Sequence, residues 1–152
     1  MQTFRRLAPI VMAASVVMTG GVRADVSCHK INARGVGQDL GGGATQAQII
    51  GGGLLEGTTA AQFVITGISG TIVSFEGPVT FTTNRGTLTV TVTGTLDVVS
   101  GAFSASGPVT DATGKLEGAS GSLSIDGTQD LATGAFEEDI TGEICVDLSP
   151  LK

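Results

Sequence analysis

Tryptophan and tyrosine are absent from the sequence, and histidine occurs once, at His29. Without Trp or Tyr, the chain lacks the flat side chains on which proteins most often stack sugars and bases. A single histidine leaves almost no choice of general base for a serine or cysteine nucleophile, so a hydrolase is the least favoured class. The sequence also contains no zinc-ligand cluster and no phosphate-binding glycine loop. We therefore predict neither a metal nor a cofactor.

Positive charge is scarce, with 8 Lys and Arg residues against 14 Asp and Glu residues. Three of the cations (Arg5, Arg6 and Arg23) lie in the first 24 residues. Removing that segment leaves five cations against fourteen acids, a formal charge of −9. A surface of this sign repels phosphate backbones and anionic membranes, so nucleic acid is not expected as a partner.

Beyond the N-terminus the sequence has no apolar run long enough for a membrane span. The N-terminal segment itself has the features of an export signal, because Arg5 and Arg6 precede an apolar stretch that is short for a bilayer. Val22-Arg23-Ala24 then places small residues where signal peptidase recognises them. We expect residues 1–24 to be a signal peptide and residues 25–152 to form one secreted domain, extracellular or periplasmic.

Only two cysteines are present, Cys28 and Cys145, near opposite ends of the expected mature chain. In an oxidising compartment such an isolated pair predicts one disulfide. The alternative, two free thiols or metal ligands, lacks partner residues at ligand spacing. Closing so long a loop would stabilise the fold by about 4 to 5 kcal/mol in the chain-entropy treatment. The link is simplest if the first and last strands are neighbours.

A repeated pattern dominates what the sequence does contain. Residues 86–103, GTLTVTVTGTLDVVSGAF, return in shorter form as residues 121–136, GSLSIDGTQDLATGAF. Each copy is typical of a strand with period-2 alternation, an Asp/Gly turn and a returning strand led by Phe. Helical periodicity is absent over any useful length after residue 25, so the pattern predicts an all-β protein.

Alternation also assigns the faces of these strands. From Thr71 onward, aliphatic and aromatic residues share one face, and hydroxyl and acidic residues share the other. Earlier strands are expected over 28–40, 46–53 and 60–66. The total is about eight strands joined by short turns, which predicts antiparallel neighbours in a sandwich or a closed barrel. Closure removes exposed edges, and a disulfide between the chain ends favours the barrel.

Residues 111–121, DATGKLEGASG, are similar to the Gly-Gly-Thr-Gly-x-Phe-x-x-Ala-x-Gly segment of dirigent proteins and the related allene oxide cyclase-like barrels. The matching positions are Thr113, Gly114, Ala119 and Gly121, with Leu116 in place of the aromatic residue. The likeness extends over about the last 80 residues. It implies an eight-stranded antiparallel barrel of the calycin-like kind, with an apolar interior that binds or shapes a hydrophobic small molecule.

The candidate ligand contacts are large apolar residues on the expected inner face. They are Phe75, Phe81, Phe103, Phe136, Leu88 and Val90. These side chains would hold a small apolar molecule if the barrel is hollow. The sequence leaves that point open, because small inner residues such as Ala61 and Ala105 either leave a cavity or let the barrel close tightly.

Glu138 is the first candidate for chemistry. It shares the parity of Phe136 and Ile140, so a regular last strand points its side chain into the barrel. Burial there would raise the pKa of the carboxyl and suit a general acid or base. The alternative is that the strand bends or that Glu138 lies at a solvated rim.

His29 is the second candidate. If Cys28 bonds Cys145 on the outer face, His29 turns inward on the strand beside that of Glu138. An interior His29–Glu138 pair is one hypothesis, and a packed or rim histidine is the other.

Two functions therefore remain open. One is a secreted barrel that binds or shapes a small hydrophobic molecule, which leaves room for cyclase or isomerase activity. The other is a non-catalytic secreted or surface structural protein whose barrel is a filled core. Neither enzymatic activity nor the oligomeric state follows from the sequence.

Overall fold

The period-2 alternation of the sequence becomes the inner and outer faces of one curved β-sheet in the computed structural model, which describes residues 25–51 and 53–149. The predicted signal peptide, residues 1–24, lies outside this part of the chain. The strands of the described part are β1 (Val26–Gly41), β2 (Ala44–Gly51), β3 (Gly57–Gln62), β4 (Val64–Ser69), β5 (Ile72–Thr83), β6 (Gly86–Asp97), β7 (Ala102–Ala112), β8 (Ser120–Gln129) and β9 (Ala135–Asp147).

Eight of these strands close into a barrel. Around the ring the order is β1, β2, β3, β5, β6, β7, β8 and β9, and β9 pairs with β1 to complete it. Each neighbouring pair is antiparallel, as short turns between alternating strands require. The prediction of an all-β, eight-stranded antiparallel barrel is confirmed. No helix in the described ranges has the length and apolar character needed to cross a membrane.

The strand expected over 60–66 is divided into β3 and β4. The register against β5 is the same on the two sides of the break, with Ala61 opposite Val79 and Val64 opposite Glu76. Between the two paired stretches lies Pro78, which has no N–H to donate to the ladder. Beyond this break β4 continues past the end of β2, so within the described strands it pairs with β5 alone. It is the extra strand outside the closed ring.

The predicted disulfide is confirmed. Cys28 and Cys145 lie directly opposite each other on β1 and β9, and their sulfurs are 2.04 Å apart. The bond ties the first strand of the ring to the last and closes a loop of 117 residues. Glu143 lies nearby, but both sulfurs are engaged in the disulfide and neither is available as a thiolate ligand. A disulfide fits an extracellular or otherwise oxidising compartment.

The two ends of the barrel are built differently. Because neighbouring strands run antiparallel, the connections alternate between the ends. One end carries two short 3-10 turns, Gly53–Leu55 and Gly114–Leu116, whose leucines are buried beneath the sheet. The opposite end carries four hairpin turns without such a plug. We call the halves of the interior nearest these ends the closed half and the open half.

The closed half is packed with large side chains. Its buried apolar residues are Ile31, Ile49, Leu54, Leu55, Phe81, Leu88, Val90, Leu116, Leu123, Ile140, Ile144 and Val146. Nearly all of them have no more than a few per cent of their surface exposed, as expected of a core at the packing density of protein interiors. This half of the barrel is filled.

Candidate functional site

The open half contains a cavity of about 240 Å³ that reaches the solvent between the hairpin turns. Its wall is mainly aromatic and aliphatic, and its polar groups are few. The lining residues are Asp39, Gly43, Thr45, Thr59, Ala61, Phe63, Ile65, Val73, Phe75, Val79, Val92, Leu96, Phe103, Ala105, Ile125, Gln129, Phe136 and Glu138. An apolar wall with a few convergent polar groups is the usual form of a small-molecule site.

Two pairs of phenylalanines shape the wall. The rings of Phe63 and Phe75 lie 4.9 Å apart at 60°, on the β3–β5 side of the barrel. The rings of Phe103 and Phe136 lie 6.0 Å apart, edge to face, on the opposite side. Both geometries are favourable aromatic contacts. The two rings of each pair therefore pack against each other along the wall, and the cavity lies between the two pairs.

Three of the six predicted ligand contacts line this cavity, namely Phe75, Phe103 and Phe136. The other three, Phe81, Leu88 and Val90, are fully buried in the closed half and do not line it. Parity along a strand predicted the inner face of all six correctly. It carried no information about the height of each residue along the barrel axis.

Phe63 is a lining residue that the sequence interpretation left without a role. It lies in the one-residue break between β3 and β4, where its N–H donates to the carbonyl of Gly43. The only signal in the sequence was its parity with Thr59 and Ala61, and the break in the strand hides how far that parity extends.

Glu138 points into the barrel from β9, as predicted. It lies opposite Gly35 on β1 and Gly127 on β8. A Cβ atom at position 35 would come within 2.6 Å of Glu138 Oε1, so the carboxyl occupies space that the glycine leaves free. Gly35 thus makes room for a charged side chain in an apolar wall, whereas Gly127 leaves space for the ring of Phe103.

Burial raises the pKa of Glu138 to about 7. Loss of solvation is the cause, because the charged form loses contact with water and gains no compensating cation. At neutral pH the group is therefore divided between the acid and the carboxylate. It can accept a hydrogen bond from a ligand, donate one, or exchange a proton with it.

Asp39 and Gln129 form a second polar group nearer the mouth. Gln129 Nε2 donates to Asp39 Oδ2 at 3.1 Å, and the Gly41 N–H donates to Asp39 Oδ1 at 2.8 Å. Both carboxylate oxygens thus already have partners within the protein. Sequence reasoning missed this pair, although each residue shares the parity of its inward-facing neighbours.

His29 lies far from Glu138. It is opposite Ile144, whereas Glu138 is opposite Gly35. Six residues along β1 separate the two positions, roughly 20 Å at the rise of an extended strand. His29 is half-buried at the closed end, with Nε2 3.0 Å from the hydroxyl of Ser27. The hypothesis of an interior His29–Glu138 pair is wrong, and the rim position given as its alternative describes His29.

Comparison with protein-family models, with curated proteins and with solved structures finds no match to this chain.

Proposed function

We propose that this protein is an exported β-barrel that binds one small apolar molecule in the open half of its interior. The observation that carries the proposal is the cavity of about 240 Å³, walled by two phenylalanine pairs and open at one end. Apolar surface that stays partly wet in the free protein is stabilised when an apolar ligand covers it.

The size of the cavity limits the ligand. Pockets for drug-sized molecules measure about 300–1,000 Å³, so a cavity of about 240 Å³ favours something smaller. A short alkyl chain or a single substituted ring has suitable dimensions and polarity.

Export and family are part of the same proposal. The disulfide between β1 and β9 supports an oxidising compartment, and the sequence of residues 1–24 supports a cleaved signal peptide. The likeness of residues 111–121 to dirigent proteins and allene oxide cyclase-like barrels supports a relationship with those families. In them, too, an apolar barrel interior receives a hydrophobic molecule.

The alternative function is a structural protein with a solid barrel. The packed closed half favours it, because that half has the continuous core that such a protein needs. If the open half also collapses in solution, no ligand site remains and the structural role is the better conclusion.

A matched pair of variants distinguishes the two functions. Ala61 lines the cavity, whereas its neighbour Ala60 is exposed on the outer face of β3. Calorimetric titration with 1-octanol should show one site per barrel in the wild type and in Ala60→Phe. Ala61→Phe fills the cavity and should abolish that binding, with an unchanged far-UV spectrum as evidence of folding. Absence of binding to the wild type, or equal binding to Ala61→Phe, would overturn the proposal.

A further inference from the structure

The charges on the cavity wall have one sign. Among the lining residues that the structure describes, the ionisable side chains are Glu138 and Asp39, and none is a lysine, an arginine or a histidine. A ligand carboxylate or phosphate would enter an apolar space facing only acids, without a cation to pair with it. Fatty acids and other anionic amphiphiles are therefore poor candidates for this site.

The two acids differ in whether the protein supplies hydrogen-bond donors to their carboxyl groups. Asp39 accepts hydrogen bonds from Gln129 and from the Gly41 N–H, so its oxygens are satisfied. Glu138 has Gly35 and Gly127 on either side, and neither can donate from a side chain. Its carboxyl is held in an apolar wall where a hydrogen-bond donor from outside the protein would relieve the loss of solvation.

The acids act separately. The Glu138 carboxyl lies beside Gly35, and Asp39 is four residues beyond Gly35 on β1, roughly 13 Å from it in an extended strand. The two carboxyl groups cannot share a proton. Repulsion from the Asp39 carboxylate is not a cause of the raised pKa of Glu138, which comes from burial. Glu138 therefore provides a carboxyl separate from that of Asp39, set deeper in the cavity than the polar pair at the mouth.

From this arrangement we infer that the ligand is a hydrophobic amine, whose ammonium group pairs with Glu138 while its apolar part packs between the phenylalanine pairs. This inference rests on the proposed function, since it names the class of molecule that the open half binds. An ammonium group supplies both the opposite charge and the donors that the Glu138 carboxylate lacks.

Three probes of equal length test the inference: octylammonium, 1-octanol and octanoate. Calorimetry at pH 8, where Glu138 is ionised, should show that octylammonium binds about tenfold or more tightly than 1-octanol, as a charge-assisted hydrogen bond predicts. Octanoate should bind least tightly. Lowering the pH to 5 protonates Glu138 and should remove the advantage of octylammonium, which then binds no more tightly than 1-octanol. Of the groups that face Glu138 from the surrounding strands, Asp39 is the other titratable one within the described residues.

Two variants on adjacent positions provide the control. Glu138→Gln keeps the size of the side chain and removes its charge, so it should abolish the preference for octylammonium and leave 1-octanol binding intact. Glu137 points outward on the same strand and pairs with Arg34 at 2.9 Å. Glu137→Gln changes the net charge by the same amount and should keep the preference.

The outcomes separate the two proposals. If 1-octanol binds and octylammonium shows no advantage, or if Glu138→Gln keeps that advantage, the amine inference is overturned and the binding function stands. If none of the three probes binds, both are overturned.

Discussion

In the closed half of the barrel, Phe81 and Leu88 are inner-face residues that have no exposed surface. In the open half, Phe75 and Phe103 occupy the same inner face and are only half-buried. Both halves belong to the same strands and obey the same alternation of apolar and polar residues. They differ in what blocks the end: leucines from two 3-10 turns fill one, and open hairpin turns surround the other.

The exposed aliphatic residues follow the same division. Large aliphatic side chains exposed at the open end and on β4 are Leu40, Val64, Ile65, Ile68, Ile72, Val98, Val99 and Leu131. Elsewhere in the described chain, Val26, Val36 and Ile50 are the exposed ones of this kind. Most of the incompletely buried apolar surface, inside and outside the barrel, therefore lies in the open half. This is expected if the open half serves binding and the closed half serves stability.

Truncating one phenylalanine in each half should give the largest difference between the halves in the free energy of unfolding. Phe81→Ala should lower the free energy of unfolding by about 3–5 kcal/mol, because it leaves a void in a filled core. Phe103→Ala enlarges a cavity that already exists and should cost less than half as much. Guanidinium unfolding followed by far-UV circular dichroism measures both, since the chain has no Trp or Tyr for fluorescence. Equal losses would mean that the two halves are packed alike.

Removing the disulfide affects the end opposite the cavity. Replacing Cys28 and Cys145 by Ser should lower the free energy of unfolding by about 2–5 kcal/mol, because the unfolded chain regains the freedom of a long loop. The affinity for 1-octanol measured below the unfolding transition should change by less than about twofold, because the bond is remote from the site. A large loss of affinity in folded protein would show that the halves are coupled.

The Glu138 carboxyl makes stability depend on pH in a direction unusual for an acid. Its pKa is about 7 in the folded protein and near 4.5 in the unfolded chain, so folding favours the protonated form. The stabilisation is full below pH 4.5 and is lost as the pH rises to about 7, by up to about 3 kcal/mol. Glu138→Gln should lose this dependence and exceed the wild type in stability at pH 8.

The difference between wild type and Glu138→Gln isolates this effect from other acids. Asp97 has its pKa lowered mainly by a hydrogen bond from the Val99 N–H, and Asp147 has its pKa lowered mainly by the Ser149 hydroxyl. Both therefore titrate below the window in which Glu138 acts. A stability difference that stays constant from pH 4.5 to 8 would contradict the burial of Glu138.

Replacing an exposed aliphatic side chain at either end of the barrel should have the smallest effect on the free energy of unfolding. Val99 at an open-end turn is 75% exposed, and Ile50 near the closed end is 55% exposed. Replacing either by Ser should change the free energy of unfolding by no more than about 0.5 kcal/mol. A loss above about 1 kcal/mol for Val99→Ser would mean that the mouth is covered in solution by contacts that the isolated chain does not show.

The regular part of the barrel could be predicted from the sequence because its alternation is strict. The two Asp/Gly turns of the repeated pattern fall as predicted, one between β6 and β7 and the other between β8 and β9. The division of β3 from β4 could not be predicted, because it depends on which residue of β5 comes opposite the break. That partner is known only once the register is known.

For the candidate site, the sequence predicted the face of the strand on which each side chain lies, but not its height along the barrel axis. Parity correctly turned Glu138 inward, but the position of His29 relative to it depends on the register between β1 and β9. The disulfide contains that information: if Cys28 lies directly opposite Cys145, counting along both strands brings Gly35 to Glu138 and takes His29 away from it. The polar pair at the mouth and Phe63 also depend on height along the axis, which alternation does not encode.

The most direct test of a filled half and a binding half is chemical-shift mapping with 1-octanol on methyl-labelled protein. Shifts should concentrate at methyl groups on the cavity wall, those of Ala61, Ala105 and Ile125, while those of Leu88 and Ile144 stay unchanged. Shifts spread over the outer face, or equal shifts in the closed half, would contradict this prediction.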